Sequence, residues 1–252
     1  MKPEDTAPLR LAMWSGPRNI STAMMRAFEN RPDCAVIDEP LYAHYLAHTG
    51  SDHPGAAEVI AQGDTDWQRV VAGLLGPVPG SRPFWYQKHM SHHLLPHIGH
   101  DWIHRLVNVF LIRDPDEVVA SYIRSRAEVC AADIGLEQQA QLFDEVAQRQ
   151  GTAPPVIDAG DFLRAPAAHL RALCHGLGIA FDECMLSWPA GPRDSDGVWA
   201  PHWYAAVWRS TGFEPWQPRQ QVLGGAARQA AQEARPWYEH LYRHRLVVEG
   251  SG

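Results

Sequence analysis

LVNVFLIRDP, at residues 106–115, is a nearly continuous apolar run that ends in an arginine, an aspartate and a proline. Strands of parallel sheets typically have such continuous apolar sequences, because helices cover them on both faces. Asp114 suits a helix N-cap, and Pro115 suits the first helical turn. The stretch therefore predicts a buried parallel strand with Arg113 at its carboxyl end, followed directly by a helix.

Further apolar runs suggest four more strands, at residues 9–14, 34–37, 84–87 and 155–158. Helix-compatible stretches lie between them, and a strand–helix alternation indicates a mostly parallel sheet between helical layers. The length suits one large domain better than two. We therefore expect a single three-layer α/β domain over residues 1–252.

The carboxyl-terminal third differs in composition. Five tryptophans and several prolines without clear periodicity lie between Trp188 and Trp216. Such stretches in compact domains usually cover a site, so residues 188–220 are predicted to be a loop region over the ligand. Residues 221–246 predict a terminal helix, which Pro236 should kink or split.

Composition excludes some partners. The net charge of −7 gives no general attraction to nucleic acid. No apolar run approaches the roughly 20 residues that span a bilayer, and the amino terminus lacks the pattern of a signal peptide. We therefore expect a cytoplasmic protein without nucleic-acid or membrane partners, while a homodimer stays open.

The first candidate site is WSGPRNIST, residues 14–22, between a predicted strand and a predicted helix. Such a junction directs backbone N–H groups and the positive end of the helix dipole at one point, which suits phosphate or sulfate. An ordinary turn is the alternative. The candidate anion-binding residues are Ser15, Gly16, Pro17, Arg18, Asn19, Ile20, Ser21 and Thr22.

Arg113 and Ser121 form the second candidate. Arg113 ends a strand and Ser121 lies on the following helix, so both can reach one anion at the carboxyl edge of the sheet, where open α/β sheets bind ligands. An ion pair between Arg113 and Asp116, with Ser121 facing solvent, is the alternative.

The sequence supports metal-dependent chemistry less well than it supports anion binding. No Gly-Lys-Ser/Thr follows the first loop and no magnesium ligand is evident, which counts against a kinase or ATPase. His89, His92, His93 and His97 include pairs with the spacing of zinc ligands. Histidine is abundant throughout the chain and no acidic partner lies within the group, so we expect no metal.

Several motifs together resemble the sulfotransferases. PRNIST (17–22) resembles the family's 5′-phosphosulfate loop, and FLIRDPDEVVASY (110–122) resembles its 3′-phosphate segment. Residues 156–181 are similar to the downstream strand and helix. WSGPRNIST, DEPLYAHYL and KHMxHHL resemble a bacterial branch of the family. The resemblance implies a P-loop-type fold that binds 3′-phosphoadenosine-5′-phosphosulfate (PAPS) and a small-molecule acceptor.

The resemblance also implies roles for individual residues of the donor site. Arg18 stands where the family has a lysine and would stabilise the leaving oxygen. Arg113 and Ser121 would hold the 3′-phosphate. A weaker similarity assigns a late loop to the nucleotide, made of Ser210, Thr211, Gly212 and Phe213 after Arg209.

Two residues, His89 and Glu39, are candidates for the base that deprotonates the acceptor. Lys88-His89 resembles the Lys-x-His neighbourhood in which the histidine is the base. Glu39 resembles the catalytic glutamate of some bacterial members. Because side chains alternate along a strand, Asp38 and Glu39 are expected to point in opposite directions.

The predicted activity is sulfuryl transfer from PAPS to a hydroxyl or amine of a small molecule. Two alternatives use the same fold. One is a magnesium-dependent phosphoryl or nucleotidyl transferase, and the other is a nucleotide-binding protein without catalysis.

Overall fold

The strands form one parallel sheet in the computed structural model, which describes residues 7–124, 129–217 and 222–249. Their order is β2-β3-β1-β4-β5, and every neighbouring pair is parallel. The predicted α/β architecture and all five predicted strand positions are confirmed. The strands are β1 (Leu9–Ser15), β2 (Cys34–Asp38), β3 (Phe84–Met90), β4 (Val107–Ile112) and β5 (Val156–Asp158).

Helices connect the strands and cover both faces of the sheet. Asp114 caps α5 by accepting from the backbone N–H of Asp116, and Pro115 follows it as predicted. The helices are α1 (Ser21–Glu29), α2 (Tyr42–Thr49), α3 (Ala56–Gln62), α4 (Trp67–Leu75), α5 (Pro115–Tyr122), α6 (Ala131–Ile134), α7 (Leu136–Gln150), α8 (Ala159–Arg164), α9 (Pro166–Gly176), α10 (Ala200–Trp203), α11 (Ala205–Arg209) and α12 (Gly225–Tyr242).

The core has two layers because alternate residues of each strand point to opposite faces. In β1, Ala12 and Trp14 pack with α4, α5, α7 and α12, whereas Leu11 and Met13 pack with α1 and α9. A third apolar cluster joins α2, α3 and α10 and includes Tyr42, Trp199 and Tyr204.

Two expectations about the carboxyl-terminal third need correction. The tryptophan-rich region contains two short helices, α10 and α11, within what we expected to be loop. Pro236 does not split α12, which continues through it. A proline removes one backbone donor, and here apolar contacts of the helix, including buried Ala234 and Tyr238, hold it in place.

Parts of the predicted segments lie outside the described residues: 218–221, where the predicted loop ends and the predicted helix begins, and both chain termini, 1–6 and 250–252. Among the described residues, no helix is both long and apolar enough to cross a membrane.

Candidate active site

A cavity of about 450 Å³ opens at the carboxyl edge of the sheet. This volume falls within the range of about 300–1,000 Å³ that is usual for small-molecule pockets. Its walls come from the loop after β1, the first part of α1, the end of β3, helix α5 and parts of residues 199–217. Segments far apart in sequence therefore meet at one site.

The predicted anion ligands come together on one side of this cavity, which we call the arginine wall: Arg18, Arg113 and Ser121. Nε of Arg18 donates to Oγ of Ser121 at 3.1 Å. Nη1 of Arg113 donates to the backbone carbonyl of Arg18 at 2.8 Å. Arg113 also pairs with Glu117, four residues along the chain, at 2.9 Å. The expected ion-pair partner, Asp116, is the residue just before Glu117. The two sequence motifs thus form one surface.

Positive charge is concentrated at the arginine wall. Burial lowers the pKa of Arg18, and the nearby guanidinium groups of Arg124 and Arg113 lower it further. Arg18 makes no ion pair with any acidic residue that the structure describes. Helix α1 begins beside it without a side-chain cap or an acidic residue in its first turn, so its first N–H groups add to the positive potential. The wall is suited to an anion.

Backbone geometry shapes the loop that carries Arg18. Arg18 has a φ of 57°, in the left-handed region that costs a non-glycine residue about 1 kcal/mol or more. Gly16 lies so close to another segment that a Cβ there would be 2.4 Å from the carbonyl oxygen of Ile134. Ser15 is buried and contacts Met90. Of the predicted loop residues, 17–22 line the cavity, while Ser15 and Gly16 position them.

A second polar group, the Lys88 cluster, consists of Asp38, Glu39, Lys88 and Tyr204. Nζ of Lys88 donates to Oδ1 of Asp38 at 2.8 Å, to Oε1 of Glu39 at 2.5 Å and to the hydroxyl of Tyr204 at 2.8 Å. The Tyr204 hydroxyl in turn donates to Oδ2 of Asp38 at 2.6 Å. The three donors of the ammonium group are therefore all used, and Glu39 and Lys88 both line the cavity.

Burial and the neighbouring charges shift the pKa values of Lys88, Glu39 and Tyr204. Burial alone would lower the pKa of Lys88, but Asp38 and Glu39 raise it well above its usual value. Burial raises the pKa of Glu39, an effect that Lys88 opposes. Burial and the neighbouring Asp38 also raise the pKa of Tyr204. Lys88 therefore stays protonated, and the Glu39 carboxylate is more basic than an exposed glutamate.

Asp38 and Glu39 do not point in opposite directions as expected. Glu39 lies just past the end of β2 and has a φ of 40°. This left-handed conformation interrupts the alternation of the strand, so both carboxylates reach the same ammonium group. The side chain of Glu39 is 11% exposed, while that of Asp38 is 1% exposed, so Glu39 is the more accessible of the two.

His89, the other candidate base, is buried outside the cavity lining. Its ring stacks on Trp14 with centroids 4.5 Å apart, and the residue is 1% exposed. Burial lowers its pKa to about 3. The reason is strand alternation, because Lys88 and Met90 line the cavity and His89, between them, points to the other layer.

The predicted late loop is only partly at the cavity. Ser210, Gly212 and Phe213 line it, whereas Thr211 is not among the lining residues and its carbonyl accepts from the backbone N–H of Trp188 at 3.0 Å. Phe213 packs edge-on against Phe162 and Trp188. This loop is therefore anchored to the core beneath it.

Sequence reasoning missed several residues of the cavity. Tyr204, Trp199 and Trp203 come from the tryptophan-rich region, whose lack of periodicity hid their orientation. Tyr42 lies in DEPLYAHYL and His93 in KHMxHHL. The sequence indicates no role for Tyr42, and it makes His93 only a candidate zinc ligand. Their rings stack with centroids 4.7 Å apart.

Two curated proteins of Arabidopsis thaliana are similar to this chain. Branched-chain-amino-acid aminotransferase-like protein 1 is 38% identical over 200 residues, which cover 79% of this chain and 36% of that protein. Branched-chain-amino-acid aminotransferase-like protein 2 is 34% identical over 231 residues, covering 92% and 41% respectively. The chain thus matches well under half the length of either relative.

Solved structures share the fold. A sulfotransferase from Alicyclobacillus acidocaldarius superimposes with a TM-score of 0.54 at 12% identity, covering 96% of this chain and 98% of that one. The sulfotransferase domain of the Synechococcus PCC 7002 olefin synthase gives 0.50 at 16% identity, covering 92% and 97%. The fold is therefore the P-loop-like fold of these proteins. The family model described as "Sulfotransferase domain" matches residues 9–244, and the chain belongs to this family of transferases.

Proposed function

We propose that this protein transfers a sulfuryl group from PAPS to a hydroxyl or amine of a small molecule. The observation that carries the proposal is that the arginine wall and the Lys88 cluster line the same cavity. The arginine wall suits an anionic donor, and the Lys88 cluster provides a basic carboxylate, Glu39, for the acceptor. Membership of the sulfotransferase family supports the same reaction.

The arginine wall fits the charge of the proposed donor. Residues 17–22 would hold the 5′-phosphosulfate, and Arg113 with Ser121 would hold the 3′-phosphate. Both Nη groups of Arg18 lack a hydrogen-bond partner among the described residues and are available to oxyanions. When bound, PAPS supplies the sulfuryl group and a phosphate leaving group. Arg18 stabilises negative charge electrostatically and, being always protonated, does not act as a proton donor.

Glu39 is the proposed general base. Its Oε1 is occupied by Lys88, and its Oε2 lies 4.0 Å from Nδ1 of His93. We assign Oε2 as the atom that accepts the proton of the acceptor hydroxyl or amine while the acceptor oxygen or nitrogen bonds to sulfur and the bond from sulfur to the phosphate oxygen breaks. The raised pKa makes this carboxylate a better base near neutral pH.

The acceptor side of the cavity favours molecules without negative charge. The Lys88 cluster contains two carboxyl groups and one ammonium, and burial keeps the nearby His93 neutral by lowering its pKa. Aromatic rings of Tyr42, Trp199 and Trp203 line the same side. Flat neutral molecules and cations are therefore better acceptors than phosphorylated ones, since rings attract cations by their quadrupoles.

Calorimetry with 3′,5′-adenosine bisphosphate tests the donor site. Wild-type protein should bind it in the micromolar range, and Arg113→Ala should weaken binding at least about tenfold, as expected for loss of one charge-assisted contact. Arg149→Ala is the matched control, because Arg149 is exposed and lies outside the cavity. Absence of binding by the wild type would remove the proposal.

A donor-dependent screen of metabolites with labelled sulfate tests the reaction. Glu39→Gln should lower turnover at least about a hundredfold while calorimetric binding of the bisphosphate stays unchanged. A protein that binds the bisphosphate but labels no acceptor would be a binding protein. Turnover of ATP that requires magnesium, with no transfer of sulfate, would instead identify the phosphoryl-transfer alternative.

A further inference from the structure

Three histidines outside the cavity lining come close together at the surface. His44 and His48 lie one turn apart on α2, and His97 follows β3. The ring centroids are 4.0 Å apart for His44 and His48, 5.0 Å for His44 and His97, and 4.9 Å for His48 and His97. One ring nitrogen from each lies within 4.8 Å of the other two. This is the spacing of side chains that share one ligand.

Backbone carbonyls fix the tautomers of two of these rings. Nδ1 of His44 lies 2.7 Å from the carbonyl oxygen of Thr65, and Nδ1 of His48 lies 3.1 Å from that of His44. A carbonyl oxygen only accepts hydrogen bonds, so both Nδ1 atoms carry the proton. Both Nε2 atoms then present lone pairs. A histidine that binds a metal is commonly oriented in this way, by donating its second N–H to a backbone carbonyl or carboxylate.

The third ring completes the group. Nε2 of His97 lies 2.9 Å from Nε2 of His44, which accepts the hydrogen bond between them. His97 is exposed, so its proton can move to Nδ1, which water solvates. Two ligand nitrogens of a tetrahedral zinc ion are about 3.3 Å apart, given zinc–nitrogen bonds of about 2.0–2.1 Å. The two Nε2 atoms of His44 and His97 are closer than this, at 2.9 Å, so the exposed His97 side chain would have to move slightly to admit the ion.

We propose that His44, His48 and His97 bind one zinc ion through their imidazole nitrogens, with water as the fourth ligand. This revises the expectation from sequence. The zinc set considered there included His97, but its partners in the structure are the i,i+4 pair of α2, which we had not connected with it.

The ion would stabilise the acceptor side of the cavity. It would join α2 to the segment after β3, and α2 begins with Tyr42, which stacks on His93 at the cavity. The three ligands are not among the cavity-lining residues, so the site is structural and separate from the proposed base.

Zinc titration of the full chain against a chromophoric chelator tests the site. The wild type should bind one equivalent, and His48→Gln and His97→Gln should each weaken binding at least about tenfold, as loss of one of three ligands does. Both residues are exposed, so the variants should fold, which circular dichroism verifies. A saturating ion should also raise the melting temperature of the wild type by about 5–10 °C at a hundredfold excess over Kd.

His244→Gln is the matched control, because His240 and His244 form another i,i+4 pair and His244 is exposed. It should retain full affinity. X-ray absorption at the zinc edge should show three imidazole nitrogens. Binding of less than one equivalent by the wild type, or binding that is lost in His244→Gln and kept in His48→Gln, would overturn the proposal.

Discussion

Replacement of Lys88 by methionine should destabilise the protein in a manner that depends strongly on pH. Methionine has a similar length and shape; it removes the ammonium group and replaces one methylene by sulfur. In the wild type, Nζ of Lys88 lies 2.8 Å from Asp38 and 2.5 Å from Glu39. In the variant, these two carboxyl groups remain in the same buried cluster without a cation. Removing one partner from a buried ion pair typically costs about 3–5 kcal/mol.

The pH dependence follows from proton uptake. In the variant, at least one carboxyl group should be protonated in the folded state. An unfolded glutamate has a pKa of 4.5. Protonating it at pH 7 therefore costs about 3.4 kcal/mol, at about 1.4 kcal/mol per pH unit. At pH 5 the same proton costs only about 0.7 kcal/mol. The folded variant binds more protons than its unfolded chain, so its stability falls as pH rises.

Urea denaturation at pH 5, 6 and 7, followed by tryptophan fluorescence, measures this effect. The difference in free energy of unfolding between wild type and Lys88→Met should be about 3–5 kcal/mol at pH 7 and about 2–3 kcal/mol smaller at pH 5. Arg149→Met breaks an exposed pair with Asp101 and should cost less than about 1 kcal/mol at every pH. A pH-independent loss in Lys88→Met would refute the reasoning.

Three further predictions concern proton affinity and the cavity wall. First, kcat should rise with pH through the raised pKa of Glu39, because only the carboxylate accepts a proton; a pH–rate profile that lacks this acid limb would exclude it as the base. Second, burial raises the pKa of Asp158 to about 6 from 3.8, so ionising it costs the folded state up to about 3 kcal/mol above pH 6 and nothing below pH 4. Asp158→Asn should therefore gain stability relative to wild type as pH rises from 4 to 7 in urea titrations, whereas a constant difference would contradict the shift. Third, Asp196→Ala leaves the buried Arg26 with Glu29 alone and removes the acceptor of the Trp208 indole N–H. It should cost about 2–4 kcal/mol and speed proteolysis within residues 199–217, while exposed Asp194→Ala should do neither.

The sheet and the arginine wall could be predicted because each depends on a short segment. Short apolar runs located all five strands. Arg113 and Ser121 are eight residues apart on a strand end and the next helix, so local geometry already brings them to one edge. Arg18 follows another strand of the same sheet. Parallel strands end at a common edge, so these residues meet once their strands belong to one parallel sheet.

The Lys88 cluster could not be predicted in the same way. Tyr204 reaches Asp38 across 166 positions of sequence, from a region without periodicity. Glu39 shares the ammonium with Asp38 only because of its left-handed backbone, which a strand pattern does not indicate. Lys88 and His89 are adjacent, and a shift of one residue exchanges the faces to which they point. Tertiary packing decides each of these features.

The strand order also divides the cavity into two parts that depend on different strands. The arginine wall depends on the ends of β1 and β4, whereas the carboxylates and Lys88 depend on the ends of β2 and β3, on the other side of β1. Changes in α2, α3 or residues 199–209 therefore leave the supports of the anion site in place. If the proposed function holds, a scaffold divided in this way can acquire new acceptors without rebuilding the proposed donor site, and chimaeras that exchange these segments between relatives are a practical route to altered specificity.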